Sequence, residues 1–380
     1  MKHKVNILHV SQYIEIGGLE TLIVEMCKKI DKEIFNVDIL CLNGFDDKYV
    51  ENIRQFDIGI SVIRKNYKFD YSFIRKVCRY INEKEIDVVH AHGGCFFYSA
   101  LFSAFSKSKR FIYTAHGMPL SNDVKSILED QIAGLFCDDI VAVSDEIHAT
   151  FSHRIPGAKE KIKVIINGID TDRFRPFPDD SRRVAMAERY RLPKDCFIVG
   201  SVGRLEPVKN YPLLLRAFAR MEAEPGKRPS HLVLVGEGSQ RAELEALAGN
   251  LGLSGRVSFL GMQYLVHDIL PLFDAFVLSS FTEGTSISLL EAQACGVPAV
   301  VTDVGGNGLV VRHGENGFLC PSNEDAAMAT DLRCLRDDPL PAQRMRAAAR
   351  KRVTEEFDLD SMVRRYEELY LKAGSAISGK

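Results

Sequence analysis

At 380 residues, with 46% hydrophobic and 26% charged residues, the chain has the composition of a soluble globular protein and is too long for one ordinary core, so two domains are expected. A formal net charge of -2 excludes a whole-chain electrostatic pull towards nucleic acid or an anionic membrane. The nine cysteines are scattered without a Cys-x-x-Cys pair, which argues against a zinc ribbon or a disulfide framework and fits reduced thiols in a cytoplasmic protein.

Met1-Lys2-His3-Lys4 leads into a strand-like run rather than a signal peptide. Strands are expected at Val5–Val10, Val37–Leu42, Ser61–Ile63, Val88–Ala91, Phe111–Thr114, Ile140–Val143 and Val164–Ile166, with helical patterns near 19–30, 70–83, 95–105, 122–136 and 145–152. The run Cys95 to Phe105 is too short to span a bilayer and reads as a buried helix. Lys outnumbers Arg by 16 to 6 before residue 171 and Arg outnumbers Lys by 21 to 6 after it, which marks a seam and a domain boundary near residue 170. The Asp-, Arg- and Pro-rich stretch 170–195 is expected to be a linker with a hinge surface. The second half repeats the plan, with strands at Phe197–Val202, Leu232–Val235, Val257–Leu260, Ala275–Leu278, Ala299–Thr302 and Gly317–Leu319, and helices near 211–221, 239–251, 286–295, 324–336 and 341–356. The last segment, 359–372, is amphipathic and is expected to pack back onto the first domain. Short β-branched runs joined by helices predict an α/β fold of two Rossmann-like, doubly wound domains facing across a cleft, with function in the loops after the strands.

Those loops carry recognisable chemistry. Gly17-Gly18 opens a helix after the first strand; glycine lets backbone approach a ligand and a helix start favours an anion, although Gly-x-Gly-x-x-Gly is absent. His116 sits in a glycine-flanked strand end, Thr114-Ala115-His116-Gly117, where it can hydrogen-bond a sugar hydroxyl, and His92 sits in a similar loop. His90 and His92 would suggest a metal, but the sequence spaces no third ligand to join them, so none is expected. In Gly203-Arg204-Leu205-Glu206-Pro207-Val208-Lys209, Arg204 offers a planar fork and Lys209 a compact charge, suited to a pyrophosphate that grows more negative as it leaves. Backbone groups of Gly236-Glu237-Gly238 and Phe259-Leu260-Gly261-Met262 can grip a flat base. Between Ser279 and Pro298, Glu283 lies in a strand–helix loop and Glu291 on the helix, with N–H groups of Thr285, Ser286 and Ile287 at the positive end of the dipole. Two carboxylates flanking such a helix start can hold a sugar nucleotide; the plainer reading is a capping Glu and a helical Glu paired with a base.

Assembled, these segments resemble the retaining GT-B-fold glycosyltransferases of family 4. The matching residues are Gly17-Gly18-Leu19-Glu20, Asn167-Gly168-Ile169-Asp170, Val202-Gly203-Arg204-Leu205 with Lys209, Gly236-Glu237-Gly238, Val257-Ser258-Phe259-Leu260-Gly261, Glu283 to Glu291 followed by Ala-Cys-Gly-Val-Pro, and Asn316-Gly317-Phe318. The resemblance implies an acceptor-side domain at 1–170 and a donor-binding domain at 171–358. It gives Arg204 and Lys209 the donor pyrophosphate, closed over by amides near Gly17 and Gly18, and Glu291 the ribose. Glu283 would take the transferred sugar, with Thr285, Ser286 and Ile287 as N–H donors, and His116 would touch that sugar. Arg204, Lys209, Glu283 and His116 are thus the candidate catalytic groups. The family often reads Gly-Gly-x-Pro-Glu after the next strand, whereas this chain has Gly305-Gly306-Asn307-Gly308-Leu309, without the Pro and Glu.

The expected reaction is front-face, retaining transfer of a hexose-type sugar from a nucleotide-diphosphate donor, a UDP-sugar, to a saccharide or lipid-linked acceptor, as in bacterial polysaccharide or glycolipid synthesis, without metal or other cofactor. Rival readings are a GT-B epimerase or phosphorylase and a non-catalytic sugar-nucleotide-binding subunit. Asp358-Leu359-Asp360 reads as a helix cap rather than a metal site. Lys107-Ser108-Lys109-Arg110 and the Arg75, Lys76, Arg79 face offer either a solvated surface or a peripheral contact with the inner face of the membrane. No nucleic acid is expected.

Overall fold

The computed structural model describes residues 4–15, 17–65, 70–119, 121–224, 226 and 228–375. The chain divides into two compact units, Met1–Asn167 with Leu359–Lys380, and Gly168–Asp358. The first unit holds seven strands: β1 (Val5–Ile14), β2 (Phe35–Phe45), β3 (Gly59–Val62), β4 (Val88–His92), β5 (Arg110–Ala115), β6 (Asp139–Ala142) and β7 (Ile162–Val164). They pair in parallel in the order β3-β2-β1-β4-β5-β6-β7. The order reverses between β1 and β4, the switch point of a doubly wound sheet. Its apolar runs are buried because helices cross over between parallel strands. Phe73, Val77 and Ile81, spaced by four along helix Tyr71–Glu83, enter the same core as Phe96, Phe102, Phe111 and Tyr113.

Helix Leu359–Ser375 belongs to this first unit although it ends the described chain. Tyr366 and Tyr370, one turn apart, are buried, and the Tyr370 ring meets Phe35 edge-on at 6.1 Å. Polar ties flank them: Asp31 N–H donates to Glu367, Arg365 donates to the Val164 carbonyl, and Asp360 pairs with Lys29.

The second unit holds β8 (Phe197–Val202), β9 (Ser230–Val235), β10 (Val257–Gly261), β11 (Ala275–Leu278), β12 (Ala299–Thr302) and β13 (Gly317–Cys320). All pairings are parallel, in the order β10-β9-β8-β11-β12-β13. Helices Tyr211–Glu222 and Asp325–Asp337 pack together through Leu214, Phe218, Met328 and Leu332.

The expected linker at 170–195 differs from the observed chain. Residues Asp180–Arg189 form a helix whose N-cap, Asp179, accepts from Arg182 N–H at 2.9 Å. Arg182 pairs with Asp268 at 2.9 Å, and Arg183 donates to the carbonyls of Pro271 and Leu272, so the stretch is part of the second unit. It hides from a periodicity search because only Met186 and Ala187 of this helix are buried. Helix Asp47–Arg54 was likewise not expected; Asp46 caps it, and its buried apolar anchors are Val50 and Ile53. The strand β7 lies two residues earlier than the expected Val164–Ile166.

Candidate functional site

In the second unit, β8 and β11 are neighbours, so the loops that follow them emerge side by side. After β8 the chain makes a short 3-10 turn, Pro207–Lys209, and Asn210 takes the left-handed conformation, φ 47°, that Asn tolerates better than most residues. The two loops are then stitched together. Phe281 N–H donates to the Val208 carbonyl and Ser279 Oγ to the Lys209 carbonyl, each at 2.9 Å. Above these bonds Lys209 Nζ meets Glu283 Oε1 at 2.6 Å, and Ser280 Oγ donates to the same oxygen at 2.5 Å. The ion pair is sheltered, with 19% of the lysine and 10% of the glutamate side chain exposed. Arg204, by contrast, is exposed and makes no ion pair among the described residues. The site thus offers one cation already held by a carboxylate and one open guanidinium.

A third loop, at Gly305-Gly306, packs against the Glu283 loop. Gly305 has φ 54°, and a Cβ there would lie 1.8 Å from the Glu283 carbonyl oxygen. Gly306 N–H donates to the Gly284 carbonyl at 3.2 Å. The glycine pair therefore lets its backbone lie directly on the Glu283 loop. Asn307 then begins a short helix, Asn307–Val310, in place of the Pro-Glu pattern.

Helix Ile287–Ala294 starts at the end of the Glu283 loop, with Ser286 as N-cap accepting from Leu289 N–H. Thr285, Ser286, Ile287 and Glu291 are all buried. Behind Glu291 the helix is fixed by an amide pair, Asn316 Nδ2 donating to Gln293 Oε1 at 2.6 Å while Gln293 Nε2 donates to the carbonyls of Val297 and Asn316. On the other side of β8, Gly236 N–H donates to the Gly261 carbonyl at 2.9 Å, and Leu205 N–H to the Glu237 carbonyl at 2.9 Å. Gly236, at φ 137°, leaves no room for a Cβ, which would fall 2.0 Å from the Gly203 carbonyl oxygen. The strand-end loops after β8, β9 and β10 are thereby joined through their backbones.

The first unit carries Gly17, Gly18, His92 and His116. Gly17 is the N-cap of helix Gly18–Lys29, its carbonyl accepting from Thr21 N–H at 2.9 Å. The histidines give the main correction to the sequence reading, which spaced no third ligand for His90 and His92. Parallel pairing sets His9 on β1 opposite His90 on β4, and ligand atoms of His9, His90 and His92 lie within 4.8 Å of one another. In this state their nitrogens bond to each other and to hydroxyls. His9 Nδ1 meets His92 Nε2 at 3.0 Å, and His92 Nδ1 meets His116 Nε2 at 3.0 Å. His90 is held at Nδ1 by the Tyr370 hydroxyl, 2.7 Å away, and at Nε2 by Thr114 Oγ1, 2.8 Å away. Burial lowers His9 and His116 to about 3 and lowers His90 and His92 well below the usual histidine range, so all four rings are neutral.

The structure thus brings Lys209 and Glu283 into contact, sets the helix bearing Glu291 at the end of the Glu283 loop, and leaves Arg204 exposed on the loop after β8. Gly17, Gly18 and His116 stand at strand ends of the other unit. Ser279, Ser280 and His9 had no role in the sequence reading; a search for hydroxyls flanking Glu283 would have found the serines, whereas His9 needs the β1–β4 register. In the basic run at 107–110, Lys109 pairs with Asp87 and Arg110 with Asp139, which neutralises most of that cluster.

Comparison with known proteins gives two family matches. Residues 184–352 match the family described as glycosyl transferases group 1, and residues 16–173 match glycosyltransferase family 4. The chain is 31% identical over 290 residues to the EpsD protein of Bacillus subtilis (strain 168), covering 73% of this chain and 74% of that protein. It is 24% identical, over 97% of both chains, to the Escherichia coli enzyme named UDP-Gal:alpha-D-GlcNAc-diphosphoundecaprenol alpha-1,3-galactosyltransferase. Among solved structures, Anabaena HepE in complex with UDP and glucose matches with a TM-score of 0.85 at 22% identity, over 96% of this chain and 99% of that one. No helix among the described residues is long and apolar enough to cross a membrane.

Proposed function

The chain belongs to the group 1, family 4 glycosyltransferases of GT-B fold, and from that premise we propose that it transfers a hexose-type sugar from a UDP-sugar to a saccharide or lipid-linked acceptor with retention of configuration. The observation that carries the reading is the sheltered Lys209–Glu283 pair, with Arg204 exposed on the same loop as Lys209. Arg204 supplies the fork for the donor pyrophosphate. Lys209, positioned by Glu283 and by the Ser279 bond to its carbonyl, adds charge where the leaving phosphate becomes more negative. Glu283 orients hydroxyls of the moving sugar, the N–H groups from Thr285 to Ile287 assist it, and Glu291 takes the ribose hydroxyls. Gly17 and Gly18 supply amides to the pyrophosphate, and His116 meets the sugar.

Transfer on the front face needs no protein nucleophile. The leaving phosphate oxygen takes the acceptor's proton as the new glycosidic bond forms and the anomeric carbon–phosphate bond breaks. Burial opposes protonation of His9, His90, His92 and His116, and Glu283 is committed to Lys209 and Ser280, which favours this role for the phosphate. Two features support a lipid-linked acceptor met at the cytoplasmic face of a membrane. One is the Escherichia coli relative, whose acceptor name contains a diphosphoundecaprenol. The other is an exposed apolar face on helix Val124–Phe136, where Val124, Leu128 and Leu135 follow helical spacing, with Phe105 exposed as well.

The test is a panel of UDP-hexoses offered with soluble and diphosphopolyprenol-linked saccharide acceptors, with and without chelator, reading product mass and anomeric configuration. A retained anomer formed in the presence of chelator is expected. An inverted anomer, donor conversion without acceptor, or donor binding without transfer would replace the reading by an inverting enzyme, an epimerase or a binding subunit respectively.

A further inference from the structure

The row of imidazoles His9, His92 and His116 has a direction, and its buried end selects it. Each neutral imidazole carries one N–H and one lone pair. Three rings joined nitrogen to nitrogen therefore admit two self-consistent arrangements. In the first, His9 donates from Nδ1 to His92 Nε2, His92 donates from Nδ1 to His116 Nε2, and His116 keeps its N–H on Nδ1. In the second, every proton sits on Nε2, His116 donates inwards, and His9 Nε2 carries the last N–H. The contacts, both 3.0 Å, suit either.

His9 Nε2 separates the two. It is fully buried and has no hydrogen-bond partner among the described residues. The first arrangement leaves a lone pair there, whereas the second leaves a buried N–H without an acceptor, an arrangement that folded proteins rarely tolerate. Lys32 adds to the preference. It lies just before β2, which flanks β1 on the side opposite β4, and its charge acts on the His9 ring. A lone pair is stabilised in that field and an N–H is opposed. His90 imposes no direction, because the hydroxyls of Tyr370 and Thr114 that hold it can each donate or accept.

We propose that His9 and His92 are positioning residues that hold His116 in its Nδ1–H tautomer, so that the loop after β5 presents a neutral hydrogen-bond donor to a ligand oxygen. That this oxygen belongs to the transferred sugar rests on the glycosyltransferase reading above; the tautomer does not. His116 Nε2 already accepts from His92 in this arrangement, and Nδ1 bears the proton. His116 therefore binds and orients and does not act as the base that deprotonates the acceptor.

The test is long-range 1H–15N correlation of the full-length protein labelled at its histidine nitrogens, with the His116 signals identified by their loss in His116→Asn. The expected wild-type spectrum shows His116 protonated at Nδ1. Protonation at Nε2, an exchange-averaged mixture, or stoichiometric metal on His9, His90 and His92 overturns the proposal. Two variants test the control by His9. In His9→Asn the amide nitrogen stands where Nδ1 stood, so His116 keeps its tautomer; in His9→Leu the donor is gone and His116 becomes a mixture. Donor kcat/KM should fall about tenfold in His9→Leu, roughly the worth of one hydrogen bond, and be largely restored in His9→Asn. An unchanged His116 spectrum in folded His9→Leu removes His9 from the proposal, and if that variant does not fold, the wild-type and His9→Asn spectra decide. Should the tautomer be as expected while no UDP-sugar supports transfer, the functional reading fails and the tautomer assignment stands.

Discussion

Replacing Lys209 by Met tests whether the Lys209–Glu283 pair serves structure, chemistry or both. At 2.6 Å and an effective dielectric of about 20, the Coulomb attraction is about 6 kcal/mol before desolvation, which offsets much of it in a pair this sheltered. Removing the ammonium alone leaves the Glu283 carboxylate sheltered, with Ser280 as its remaining donor among the contacts described above, and should cost about 3 kcal/mol. For a unit of this size that is a fall of about 6–12 °C in its melting transition. Turnover should drop by about 100-fold, because the charge that stabilises the leaving phosphate is lost. Melting followed by circular dichroism, with single-turnover product formation on the same samples, reads both effects. Adding Glu283→Gln removes the uncompensated charge, so the double variant should recover at least half of the lost stability and none of the turnover. A double variant no more stable than Lys209→Met, or full turnover in Lys209→Met, would refute this account of the pair.

Arg204→Ala should lower turnover by about 100-fold, yet leave the melting temperature within about 1–2 °C of wild type, because the side chain is exposed and unpaired among the described residues. Gly305→Ala should destabilise the second unit by about 2 kcal/mol or more, since its Cβ would strike the Glu283 carbonyl at a left-handed backbone position; the same shift of the Glu283 loop should raise the donor KM. Histidine burial makes stability pH-dependent with a definite sign: His9 titrates near 3 when folded and near 6.5 when unfolded. Below about pH 6.5 the unfolded chain binds a proton that the folded chain refuses, so stability should fall with pH down to about 3, by up to about 1.4 kcal/mol per pH unit for this residue. Urea midpoints at pH 7 and pH 5 check it, and the dependence should be shallower in His9→Asn.

The sheets were legible because each central strand is a short apolar run between turn residues. Phe197–Val202, Ala275–Leu278 and Ala299–Thr302 have the bounds that their composition implies. Helix Asp180–Arg189 was not legible, since an element with two buried residues leaves almost no apolar stripe and is held by arginines that act over long sequence distances. At the site, residue types were readable and pairings were not. Lys209 and Glu283 are 74 positions apart and meet because β8 and β11 are neighbours, a fact of strand order rather than of spacing. His9 escaped a search for metal spacing for the same reason, its partner lying across the β1–β4 register. The missing Pro and Glu after Gly305-Gly306 were visible as a departure, and nothing in the structure explains it; the need for the two glycines, backbone lying on backbone, exists only in three dimensions.

The return of helix Leu359–Ser375 to the first unit has a consequence for how the protein is made. Tyr370, 280 positions after His90, completes the hydroxyl environment of that ring, and the whole second unit is encoded between them. At about 5–20 residues per second, a ribosome takes roughly 10–40 s to cross that insertion, while the β1 and β2 surface that will receive Tyr370 waits uncovered. The first unit is thus begun first and finished last. A chain halted at residue 358 would carry a whole second unit on an incomplete first one, so the helix that follows acts as the closing step of the first unit as well as a part of its fold.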